Sequence, residues 1–163
     1  LKVLIAGVGN VLRGDDGFGV TFAQRLLEAN AFPPCVTVIE FGIAGVRLVQ
    51  ELLSGYDALI VLDAVDRNTR PGTVHVLEPH VPEISEMPLD QRRDFLSDMH
   101  YANPARALIF AKALGVLPSR VLIVGCQPET CDDLRLTLSP IVEAALPAAR
   151  LEVERTVAQW TAA

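Results

Sequence analysis

KVLIAGVGNVLRGDDGFGV, residues 2–20, is the stretch whose reading decides the fold. Val3, Leu4, Ile5 and Ala6 make an apolar run that breaks at Gly7 and Gly9. Two adjacent acids, Asp15 and Asp16, follow between glycines, and an apolar helix begins after Gly17 and Gly19. Strand, glycine turn and helix form the opening unit of an α/β protein, and its first loop falls at the carboxyl end of the strand, where open α/β sheets hold their sites. A dinucleotide fingerprint would need a third glycine where Leu12 stands. No Walker lysine follows, and Asp15 and Asp16 would repel a phosphate, which wants donors. The loop therefore reads as acidic or metal-facing. One of the two acids is expected to cap or brace the loop, and the other to do chemistry.

Outward from this loop, Phe18, Phe22 and Leu26, with Val20, Ala23 and Leu27, have helical spacing, and Asn30 with Pro33 and Pro34 ends the helix. A second strand runs over 36–39 to Glu40. Gly42 and Gly45 bracket a turn before a second helix carrying Val46, Val49, Leu52 and Leu53. Leu59, Ile60, Val61 and Leu62 make an unbroken apolar run ending on Asp63, as in a strand covered on both faces. The next strand, 73–77, follows too soon for a parallel crossover, so the sheet is expected to be mixed, with this strand antiparallel or at an edge. Its His75 should face away from Val74 and Val76. Residues 78–102 lack periodicity and carry Pro79, Pro82 and Pro88; they read as a long loop that is mobile alone and grips a partner. Asn103 and Pro104 start a helix closed by Gly115. A fifth strand, 121–124, leads to Gly125, Cys126 and Gln127. Ser139 and Pro140 start a final helix that Pro147 should kink or split.

The whole chain, 1–163, reads as one domain. Half of it is hydrophobic, yet no apolar run is long enough for a membrane span, so no membrane insertion is expected. A net charge of −6 and no basic cluster beyond Arg92 and Arg93 argue against a nucleic-acid partner. Cys35, Cys126 and Cys131 are odd in number and form no C-x-x-C pair. That fits a reducing, cytoplasmic location and not a disulfide framework or structural zinc site.

Polar residues gather at the carboxyl ends of strands: Asp15 and Asp16 after the first, Glu40 at the second, Asp63 at the third, Cys126 and Gln127 after the fifth. His100 precedes a helix start. Two carboxylates and an imidazole from separate segments suit an open transition-metal site, zinc or nickel. His75 reads as a strand residue and His80 as a surface one. Two other classes compete at this point. A phospho-acceptor receiver-like domain shares the acidic pair and the strand-end Asp, but its lysine is missing at Gly125-Cys126-Gln127. A Rossmann-like nucleotide-binding module could use Glu40 on the ribose, but Leu12 opposes it.

Taken together, G-V-G-N-V-L-x-G-D-D-G-x-G-V (7–20), G-x-A-G (42–45), L-I-V-L-D-A (59–64), His100, V-G-C-Q-P-E (124–129) and L-S-P-x-V (138–142) resemble the hydrogenase maturation endopeptidases in kind and order. The resemblance runs from Lys2 to Ala149. It implies a three-layer α/β/α sandwich around a twisted, mostly parallel but mixed five-stranded sheet. It also implies an endopeptidase that removes the C-terminal extension of the nickel-loaded large-subunit precursor of a nickel–iron hydrogenase. In this family the metal-contacting trio corresponds to Asp16, Asp63 and His100, which are expected to be both metal ligands and catalytic groups. Some members have Glu where Asp16 stands, and Asp is common where this chain has Glu40. The expected cofactor is nickel, supplied by the precursor, with no nucleotide, and the free protein is expected to be a monomer. No Ser-His-Asp signature is visible and Cys126 has no evident histidine partner, so metal-assisted hydrolysis is the expected chemistry.

Overall fold

Six consecutive buried residues, Val3–Val8, form β1 in the computed structural model of the chain, which describes residues 1–43, 45–97 and 104–162. Successive strand side chains point to opposite faces, so an unbroken buried run needs cover on both sides. Ile5 joins one hydrophobic cluster, while Leu4, Ala6 and Val8 join another. Strand β3 (Ala58–Ala64) divides in the same way, with Ile60 and Leu62 in the first cluster and Leu59 and Val61 in the second. The first cluster is closed by α1 (Phe18–Ala29), α5 (Pro140–Glu143) and α6 (Leu146–Thr161) through Phe18, Phe22, Val142 and Val153. The second is closed by α2 (Gly45–Leu52) and α4 (Pro104–Ala113) through Leu48, Leu52, Leu108 and Ala111. The molecule is therefore a three-layer α/β/α sandwich.

With β2 (Val36–Gly42), β4 (Val74–Leu77) and β5 (Arg120–Cys126), the sheet has five strands in the order β2-β1-β3-β5-β4. β1 pairs in parallel with both β2 and β3, and β3 in parallel with β5. β4 is antiparallel to β5 and lies at the edge, as the short connection from β3 requires. Helix α1 ends at Asn30, whose left-handed backbone (φ 44°) turns its N–H onto the carbonyls of Leu26 and Leu27.

Residues 78–102 depart from the expected loop. Ile84–Glu86 forms a 3-10 turn closed by a reciprocal Glu83–Glu86 capping box, and α3 (Leu89–Ser97) follows. Phe95 is buried and stacked on Phe110 of α4 with ring centroids 4.6 Å apart. Leu89 is exposed, so the apolar face is too thin to leave a periodic signal. The expected cap Asn103 lies outside the described residues. The final helix is split rather than kinked, because the chain turns at Ala144–Ala145 and Pro147 takes the first turn of α6, where a missing N–H costs nothing. No helix among the described residues is long and apolar enough to cross a membrane.

Candidate active site

Strand order places a reversal between β1 and β3: from β1 the chain crosses to β2 on one side, then returns to β3 on the other. Loops leaving two such strands diverge and open a crevice outside their carboxyl ends. Asp16 stands in the loop after β1, on a 3-10 turn (Gly14–Gly17), and Asp63 stands at the end of β3. Glycines hold the two together. A Cβ on Gly19 would lie 1.9 Å from the carbonyl oxygen of Leu62 and 2.4 Å from that of Val8, so only glycine lets α1 start directly over both strand ends. Gly9 has φ 128°, and a Cβ there would lie 2.0 Å from the carbonyl oxygen of Asp16. The glycine turn thus receives the protein's own acidic loop, in the space where a nucleotide fingerprint would place pyrophosphate.

Asp63 senses Asp16. Asp63 is pushed up from its ordinary value to about 8, first by burial and then by the negative charge of Asp16, against the pull of a hydrogen bond from the Ala64 backbone. Asp16 keeps part of its surface open, with Arg13 Nη1 4.0 Å from its Oδ2. An acidic pair of this kind favours either a shared proton or a cation between the two groups. His100, the third expected member, lies outside the described residues. No cluster of three or more metal-capable side chains occurs among the described residues.

Asp15 points the other way. Fully buried, it accepts the Ser139 N–H on Oδ1 at 2.6 Å. Its Oδ2 accepts the Ser139 hydroxyl at 2.9 Å and the N–H groups of Glu129 and Thr130 at 2.9 and 3.4 Å. Arg135 Nη2 stands 3.9 Å from Oδ1. The brace expected of Asp15 is therefore real but not local: it caps no helix of its own and fastens the first loop to segment 129–139. Ser139 accordingly spends its side chain on Asp15 and gives no side-chain cap to α5. Sequence reading missed this clasp because most of its donors are backbone groups; the only trace was the L-S-P element.

Other expected site residues do structural work. Gln127 accepts the N–H groups of Arg67 and Thr69 and donates to Asp66 Oδ1, holding the turn between β3 and β4. Glu40 is exposed and accepts a 2.7 Å hydrogen bond from Gln24. It lines an open cavity of about 470 Å³ shared with Gly9, Leu12, Ile43 and Arg47. A larger groove of about 660 Å³ runs beside Arg120 and Trp160, at the amino end of β5 and thus the wrong end of the sheet for the carboxylates. His75 sits on β4 with Nε2 2.9 Å from Thr69 Oγ1. Burial, followed by the charge of Asp15, pushes the Cys126 thiol up to about 11. Cys131 is pushed equally high by burial and then by Asp16 and Asp15. Neither thiol is a ready nucleophile at neutral pH.

Comparison with known proteins meets this geometry. The family profile described as Hydrogenase maturation protease matches residues 20–156. A "Hydrogenase expression/formation protein HupD" from Rhodobacter capsulatus is 33% identical over 159 residues, covering 98% of this chain and 72% of the relative. The "Hydrogenase 2 maturation protease" of Escherichia coli is 30% identical, covering 94% and 88%. Among solved structures, a hydrogenase 2 maturation peptidase from a Thaumarchaeota archaeon superposes with TM-score 0.68 at 34% identity, covering 97% of this chain and 99% of that one. The hydrogenase maturating endopeptidase HybD from Escherichia coli superposes with TM-score 0.75 at 26% identity, covering 98% and 93%. The acidic crevice at the reversal between β1 and β3 is thus the candidate centre of a peptidase, and the chain belongs to the hydrogenase maturation protease family.

Proposed function

We propose that this protein removes the C-terminal extension of the large-subunit precursor of a nickel–iron hydrogenase, in the cytoplasm and as a monomer, once nickel has been inserted. The reading rests on one observation above others: Asp16 and Asp63 come from separate segments to the same end of the sheet, and the charge of Asp16 helps push the Asp63 carboxyl up. A cation brought by the substrate relieves that repulsion. Nickel is here part of the precursor, and Asp16, Asp63 and His100 complete its coordination with ligand types that suit it. A metal in that position supplies Lewis-acid polarisation of the scissile carbonyl. Asp63, protonated at neutral pH while no metal is bound, would release that proton on joining the nickel, and its free carboxylate oxygen would then be the group placed to take the proton of the attacking water. That proton then passes to the departing amine, leaving a new carboxylate on the mature subunit. The high thiol values at Cys126 and Cys131 favour this route over a cysteine nucleophile.

The test offers nickel-loaded and nickel-free precursor to the purified protein and reads the mass of the large subunit. Only the loaded form should be shortened, and His100→Ala should abolish shortening while the far-UV spectrum and melting midpoint stay as in wild type. Equal cleavage of both forms would remove the nickel requirement while leaving the protease. Failure to cleave either form would remove the substrate assignment.

A further inference from the structure

Two leucines on segment 129–137 face solvent, and the catalytic reading uses neither. Leu134 is 91% exposed and Leu136 76%. They are not on a loose loop. Arg135 between them forms a parallel bridge with Arg13, its N–H donating to Leu12 O at 3.1 Å, while the Gly14 N–H donates to Arg135 O at 2.7 Å. Arg135 turns inward to the buried Asp15, with Nε donating to Thr137 O. Side chains alternate along extended chain, so Leu134 and Leu136 are turned outward. The Arg135 N–H bond to the Leu12 carbonyl brings Leu12, 55% exposed, against the same segment. The result is an apolar strip fastened at both ends by Asp15 and continuous with the loop that carries Asp16. Its rim is mainly acidic: Asp132, its side chain 95% exposed, lies 3.8 Å from Arg13 Nη2, and Asp133 and Glu129 are exposed beside it.

We propose that the strip Leu12–Leu134–Leu136 is the surface that captures the precursor, receiving an apolar segment of its folded body flanked by basic side chains that meet Asp132 and Asp133. This rests on the precursor-processing reading and names where that substrate is held. Charge selects the occupant. A second copy of this chain, at net charge −6, would bring its own acidic rim against this one, and like charges across an interface oppose docking. A basic–apolar face is attracted by the rim and covered by the leucines. Position gives the purpose, because a body held on Leu12 has its tail within reach of the loop that bears Asp16.

The experiment compares wild type with Leu134→Ser/Leu136→Ser and Asp132→Lys/Asp133→Lys double variants, using nickel-loaded precursor as the probe. The leucine variant should raise KM for precursor roughly 30-fold, with kcat at saturation unchanged and a melting midpoint no lower than wild type. The lysine variant should slow association and lose the salt dependence that wild type shows. Wild-type KM in the leucine variant, with wild type itself processing normally, overturns the docking surface and leaves the processing reading standing. A wild-type dimer in sedimentation that the leucine variant abolishes would give the strip to a second copy and overturn it too. Wild type that shortens no loaded precursor defeats the reading beneath.

Discussion

Replacing Asp63 by asparagine keeps the size and shape of the side chain and removes its titration. In the folded protein this carboxyl is held near 8, against 3.8 for an ordinary aspartate. The folded state therefore keeps a proton that the unfolded chain has released throughout the window from about pH 4 to 8. Native protein is the proton-richer state there, so stability falls as pH rises, with a slope of up to about 1.4 kcal/mol per pH unit. Four units correspond to about 5–6 kcal/mol once pH exceeds 8. Asp63 keeps some exposure, and water reaching it relaxes the penalty, so about 3 kcal/mol is the working figure. For a domain of this size that corresponds to about 6–12 °C in melting midpoint. Calorimetry in chelator should find Asp63→Asn melting above wild type by that amount at pH 8 and nearly level with it at pH 4. Other titrating groups cancel in the difference between the two proteins. A difference that stays constant with pH, or wild type gaining on the variant as pH rises, would refute the reasoning. Processing of precursor should be lost in the same variant that melts higher.

Asp15→Asn should lose about 3 kcal/mol, because an amide must set its own NH2 against at least one of the N–H donors that now meet a carboxylate. Asp16→Asn should melt near wild type yet fail to process, whereas Asp15→Asn should retain processing well below its melting point; chemical denaturation beside a cleavage assay separates the two. Gly19→Ala should cost about 3 kcal/mol or more, since its Cβ would meet the backbone of β3; an unchanged midpoint would contradict the close approach of α1. Iodoacetamide at pH 7 should leave processing intact and modify Cys126 and Cys131 slowly, which peptide mass mapping reads directly.

The sheet was legible because its strands bury both faces. Unbroken apolar runs at 3–6 and 59–62 announce strands inside a sandwich, and the few residues between Asp63 and Val74 forbid a crossover. Strand ends then located Asp16 and Asp63 without knowledge of tertiary structure. Helix α3 escaped because its sequence, LDQRRDFLS, repeats no apolar stripe; Phe95 is buried, while Leu89 is exposed. The destination of Asp15 escaped for a different reason: its partners are mainly backbone N–H groups, which every residue but proline carries. Ser139 looked like a helix cap, and its local sequence supports that equally well; only the fold shows its hydroxyl taken by Asp15. His100, expected beside the two acids, lies outside the described residues.

The Asp15 clasp also sets an order of events in time. Its donors lie 114 to 124 positions further along the chain. A ribosome adding about 5–20 residues per second needs roughly 6–25 s to travel from Asp15 to Ser139. During that interval β1, β2 and β3 can be made, but the carboxylate of Asp15 has no backbone donors to replace water and must stay solvated. The first loop therefore lacks this fastening until the last third of the chain docks. A partly synthesised chain thus carries Asp16 without the closing segment that fastens its loop, and on the proposed function processing should begin only once that segment has docked.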